Sequence, residues 1–214
     1  MATLRFNDGK PITVEHLTTT PKPVKFVKAY QLKTTPVEIL RYPTDEDWER
    51  CKMLAMNTIG KQWSGVVSDK WKHQILLAGH SPIRTLMFTI KMEIPYYIST
   101  CFVRHKHGVE HYVSSQRNDR QNKYDRRKAP QDSVVTHIMD VNAQELMQIA
   151  HMRLCGQATE EMRKITQDIC QEVIKTNPEF RNFLGPKCLA ENGIVKCNEF
   201  KSCTDPLEYF PNYS

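Results

Sequence analysis

The segment Arg104-His105-Lys106-His107-Gly108-Val109-Glu110-His111-Tyr112-Val113-Ser114 sets two cations, three imidazoles and a hydroxyl in a row just after an apolar run. A guanidinium or ammonium offers donors to phosphate oxygens, and an imidazole exchanges a proton near neutral pH. From Arg104 to Lys128, eight Lys/Arg face three Asp/Glu, so a local +5 accounts for most of the formal +6 of the whole chain. The expected ligand is a polyanion. A second polar group, Gln148, Arg153 and Gln157, falls on the longest helical signal in the chain. At about 100° per residue, Arg153 and Gln157 share a face, whereas Gln148 is offset from Arg153 by about 140°. The competing reading is an ordinary solvated helix face.

Cysteine and histidine raise further chemistry. Cys101, three residues before Arg104, has the reach of a nucleophile, but a buried thiol near a core segment accounts for it better. Cys188, Cys197 and Cys203 have eight and five residues between them and turn residues that let them converge. Three thiols could hold a structural metal, but without a Cys-x-x-Cys pair or an identified fourth ligand, unpaired structural cysteines or a disulfide account for them better, and no metal is expected. His105, His107 and His111 lack a carboxylate or fourth His at ligand spacing. Anion contacts serve for them, and His107 and His111 also suit a solvated loop.

These groups need elements to hold them. Thr44-Asp45-Glu46-Asp47 predicts a helix start, with the helix running to about Asn57. A second helix is expected from Ser68 to Leu77, ending at Gly79. Leu86, Phe88, Ile90, Met92 and Ile94 alternate with more polar neighbours, the period of a strand with one buried face, and Pro95 ends it. Tyr96 to Val103 follows as a short helix started by Pro95. Arg117 to Lys128 reads as a loop, and Ser133 to Met139 as a strand resting on Val134, Val135 and Ile138. Asn142 with Glu145 resembles a capping box and opens the helical signal that runs to Lys175, with a break at Gly156. Pro11, Pro21, Pro23 and Pro36 exclude long helices from residues 8 to 37.

With 214 residues, 40% hydrophobic and 25% charged, the chain can bury a real core. No apolar run approaches the roughly 20 residues of a membrane span, and the amino terminus has no apolar signal core. Seven cysteines, an odd number, suit a reducing compartment, so a cytoplasmic location is expected. The fold class expected is α+β, an antiparallel or mixed sheet packed with long helices. Residues 1–44 form an extension of short strands and loops, 45–180 the core, and 181–214 a cysteine-containing tail.

Arg104-His105-Lys106, seven residues, then Ser114 resembles the Arg-His-Arg, seven residues, Ser signature of the flavin-dependent thymidylate synthases. Asn142-Ala143-Gln144-Glu145-Leu146-Met147, Arg153-Leu154, Gln157-Ala158 and Glu161-Met162-Arg163 are similar to that family's carboxy-terminal helix in order and spacing. Gly79-His80-Ser81-Pro82 resembles its flavin-touching turn. The likeness covers about Asp45 to Pro178.

The resemblance implies a homotetrameric enzyme of nucleotide biosynthesis, with sites between subunits. It would methylate dUMP to dTMP with reduced FAD, methylenetetrahydrofolate and NADPH. It also implies roles: His80, Ser81, Arg104, His105, Lys106, Asn142, Gln148 and Gln157 toward FAD; Ser114, Ser115, Gln116, Arg117, Arg126 and Arg153 toward the nucleotide; Arg153 and Ser114 in catalysis. Several positions depart from the family. Lys106 replaces an Arg and loses its planar fork. Gln157 stands where many members have His, Gln148 where many have Asn, Tyr112 where Glu is usual and Arg84 where Glu is common. Ser-Gly-Arg becomes Ser114-Ser115-Gln116-Arg117, and the segment before the long helix is shortened. A flavin- and folate-dependent enzyme that hydroxymethylates, or that methylates another pyrimidine nucleotide, is one alternative. A nucleic-acid-binding protein using residues 104–128, with Tyr96, Tyr97, Tyr112 and Tyr124 for stacking, is the other.

Overall fold

A computed structural model describes residues 37–117, 120, 125–189, 197 and 199–203. The expectations for residues 8–36, and the proposed stacking residue Tyr124, lie outside the described residues. Four strands, β1 (Val37–Arg41), β2 (Met87–Pro95), β3 (Val109–Val113) and β4 (Val134–Asn142), form one sheet in the order β1-β2-β4-β3. Every pairing is antiparallel, so the fold is α+β with no parallel strand pair among the described residues. The β2–β4 ladder is the longest, running from Met87 opposite Asn142 to Pro95 opposite Val134.

Five helices complete the described fold: α1 (Asp45–Asn57), α2 (Asp69–Ala78), α3 (Tyr96–Phe102), α4 (Ala143–Arg153) and α5 (Glu160–Thr176). Thr44 and Asp47 form the reciprocal capping box that starts α1, and Gly79 ends α2 in the left-handed conformation at φ 61°. On α5, Met162, Ile165, Thr166, Ile169, Cys170 and Val173 are buried. That stripe has the i, i+3, i+4, i+7 spacing of a helix lying on a core. On β2, Phe88, Ile90, Met92 and Ile94 are fully buried, as their alternation requires.

β4 follows the same rule, but its buried face is Val135, His137, Met139 and Val141, while Val134 is 64% exposed. A strand resting on Val134 and Ile138 therefore has the wrong phase; the pleat turns alternate residues to opposite faces. The long helical signal divides as expected near Gly156. Since α4 ends at Arg153, Gln157 lies beyond the helix, and the helix face that Arg153 and Gln157 were expected to share does not exist. His111 is likewise half-buried in β3 rather than in a solvated loop. Among the described residues no helix is long and apolar enough to cross a membrane.

Candidate functional site

The turn between α3 and β3 carries the basic motif. It is tightened by a bond from the His105 amide to the Phe102 carbonyl, 2.9 Å. Arg104, Lys106 and His107 project as exposed side chains, while His105 between them is buried. Gly108 then takes φ +73°, and a Cβ built there would lie 2.1 Å from Asn142 Nδ2 and 2.9 Å from its Cγ. Only glycine fits both the backbone and the space. The Asn142 amide donates to the Gly108 carbonyl (2.9 Å), and its side-chain oxygen accepts from the Glu145 amide (2.9 Å) as the N-cap of α4. One asparagine thus starts the helix and seats the turn.

Helix α4 then grips His105 from two directions. Glu145 Oε1 lies 2.8 Å from His105 Nδ1, and Arg153 donates from Nε to His105 Nε2 at 3.0 Å. Glu145 and Arg153 are about two turns apart, roughly 12 Å along the axis, and His105 bridges the gap. Arginine can only donate, so Nε2 carries no proton and Nδ1 donates to the carboxylate; the donors assign this neutral tautomer. Burial pushes the His105 pKa down, against the pull of its Glu145 hydrogen bond and with the nearby Arg153 charge. Arg153 also donates from Nη2 to the Cys101 carbonyl, 3.3 Å. The rest of its fork retains N–H donors beyond these two bonds. Cys101 is half-buried and donates its thiol to the Tyr97 carbonyl at 3.4 Å, inside its own helix.

A second chain of imidazoles runs beneath the turn. His111 Nε2 donates to the His105 carbonyl (3.0 Å), which leaves its Nδ1 to accept from His137 Nε2 (2.9 Å). His137 Nδ1 in turn accepts from the Ser99 hydroxyl at 3.0 Å. Phe102 presses edge-on against the His137 ring. Burial, reinforced by His111, lowers the His137 pKa to about 4. Sequence reading missed His137; the signal was its parity with Val135, Met139 and Val141 on the buried face of β4.

The remaining expected residues fall in different places. The α4 start also holds the end of the 3-10 turn that follows Gly79-His80: Ala143 donates to the Leu86 carbonyl (2.8 Å) and Arg84 to the Gln144 side chain. His80 and Ser81 are exposed at the head of the 3-10 turn Ser81–Thr85. Ser114 pairs with Thr136, its hydroxyl accepting the Thr136 amide at 3.1 Å. Ser115 accepts the Arg117 amide at 3.2 Å. Gln116 Nε2 is buried without a partner among the described residues. Gln148 is exposed on α4. Gln157 bonds the Lys201 carbonyl at 2.6 Å, which ties it to the tail. Arg126 belongs to the short turn Arg126–Lys128, and its side chain lies outside the described residues.

This is an α+β protein whose exposed cations flank a buried His105 held by the half-buried Glu145 and Arg153. Residues 125–179, covering β4, α4 and α5, match the family described as thymidylate synthase complementing protein. The flavin-dependent thymidylate synthase of Saccharolobus solfataricus is 33% identical over 67 residues, 31% of this chain and 25% of that protein. That of Sulfurisphaera tokodaii is 32% identical over 59 residues, 28% of this chain and 23% of that protein. The chain therefore spans about a quarter of the length of the curated relatives it matches. Over these matched stretches it is similar to the flavin-dependent thymidylate synthases. The matched family segment contains Asn142, Gln148, Arg153 and Gln157; Arg104-His105-Lys106 and Ser114 lie before it.

Proposed function

We propose that this chain is a flavin-dependent thymidylate synthase-like methyltransferase acting on a pyrimidine deoxynucleotide, dUMP by preference, with FAD as cofactor and methylenetetrahydrofolate and NADPH as cosubstrates. The observation that carries this reading is the Arg153–His105 bond, because it joins the two separate stretches of chain that resemble the family. The donor set fits a flavin dinucleotide and a nucleotide together. Arg104 and Lys106 are exposed cations suited to a pyrophosphate. The Gln116 amide nitrogen, buried and without a partner among the described residues, is a donor suited to a carbonyl oxygen. When bound, reduced flavin supplies the reducing equivalents of the methyl transfer.

The protein's own part is orientation and charge. His105 and Glu145 hold the Arg153 guanidinium in place, and its remaining donors can meet uracil oxygens or a phosphate. A preset cation of this kind favours negative charge developing on the pyrimidine carbonyls as C5 becomes nucleophilic. By the same reading the working unit is a homotetramer with sites built between subunits.

The test is spectroscopic. The purified chain is expected to be yellow or to take up FAD tightly, and dUMP is expected to shift the flavin band. An Arg104→Ala/His105→Ala variant that binds FAD as well as the parent removes the flavin assignment from this motif. Mass spectrometry of the product separates methylation from hydroxymethylation.

A further inference from the structure

Four of the seven cysteines line one cavity. Cys155 sits in the turn after α4, where Ala158 donates to its carbonyl at 2.9 Å, and Cys188 sits in the turn closed by the Leu189–Pro186 bond, 2.8 Å. Cys197 and Cys203 belong to the tail, and all four side chains border the same cavity beside Leu154 and Pro186. None is in a disulfide. Two bonds bring these stretches together: Gln157 to the Lys201 carbonyl (2.6 Å) and the Lys187 amide to the His151 carbonyl (3.4 Å).

We propose that Cys155, Cys188, Cys197 and Cys203 bind one zinc ion as a tetrathiolate that fastens the tail to the end of α4. The described residues immediately before Cys203 supply no apolar anchor: Glu199, Phe200, Lys201 and Ser202 are all exposed. Burial cannot hold such a segment, whereas a four-coordinate thiolate site supplies folding energy directly. Soft sulfur ligands drawn from three separate stretches of chain suit zinc.

Among the described residues no three His, Cys, Asp or Glu side chains are already set around a common point. The thiols therefore turn inward from the cavity wall on binding, as expected where coordination and folding are coupled. Binding converts four thiols to thiolates and releases four protons, with no electrons transferred.

Elemental analysis of the full reduced chain is expected to find about one zinc per polypeptide. Replacing zinc with cobalt(II) is expected to give sulfur-to-cobalt charge-transfer absorption and tetrahedral ligand-field bands. Both signals disappear in Cys188→Ser/Cys203→Ser and persist in Cys101→Ser. If the double variant does not fold, a thiol reagent titrated into the parent serves instead: zinc release is expected to follow modification of these four cysteines, mapped by peptide mass spectrometry. A parent that holds no zinc and gives no cobalt bands overturns the proposal. So does a disulfide among the four, an iron–sulfur spectrum, or zinc retained in a folded double variant.

Discussion

Arg153 Nε meets His105 Nε2 at 3.0 Å, across 48 positions of sequence, and the contact welds α4 to the turn that carries the exposed cations. Arg153→Lys keeps the charge but replaces a planar fork by a point donor. On the proposed activity, kcat/KM for dUMP is expected to fall about 100-fold, consistent with loss of a positioned electrostatic contact. Circular dichroism should be unchanged. A variant with parental kinetics would remove Arg153 from the nucleotide site.

Gly108→Ala tests the seat of the same turn. The new methyl must share space with the Asn142 side chain on a backbone at φ +73°. A loss of about 2 kcal/mol or more in urea denaturation is expected. Asn142→Ala/Gly108→Ala should recover part of the steric cost while still losing the α4 cap.

The buried His137 makes stability depend on acidity. Its folded pKa is about 4, below the ordinary 6.5, so the unfolded chain takes up the proton more readily. The stabilisation is therefore complete above pH 6.5 and is lost as pH falls from 6.5 through 4, by on the order of 3 kcal/mol. His105, also lowered by burial, acts in the same direction. Urea midpoints measured between pH 7 and 4 should show a shallower slope in His137→Gln; equal slopes would exclude this histidine as the source.

Ser114→Ala separates scaffold from contact. The hydroxyl is exposed and accepts one backbone amide of β4, so its removal should cost no more than about 1 kcal/mol of stability. If it also meets the nucleotide, KM for dUMP should rise several-fold in a chain of near-parental melting temperature. An unchanged KM would confine Ser114 to the sheet edge.

Local chemistry made much of this arrangement legible. Thr44, Ser68 and Asn142 each announce a helix through an oxygen that accepts an amide in the first turn, and the alternation on β2 states which face is buried. Strand β3 was not foreseen, because His111 and Glu110 mask a five-residue element whose pairing is supplied by β4. His137 was hidden for a related reason: an imidazole on a core face is tolerated only when its nitrogens find partners, and Ser99 and His111 come from distant sequence. Family likeness implied a role for Arg153 toward the nucleotide and for His105 toward FAD, but not the bond between them. Neither residue's own surroundings in sequence indicate the other. Gln157 was misplaced because helical periodicity was carried past the point where α4 ends.

The two grips on His105, from Glu145 at the start of α4 and Arg153 at its finish, make the helix a ruler. One residue inserted between them would rotate Arg153 by roughly 100° and advance it by about 1.5 Å, swinging the guanidinium off the imidazole. Substitutions on the exposed face of this segment leave that measure intact, whereas any insertion or deletion breaks it. What natural variation must preserve here is length before composition.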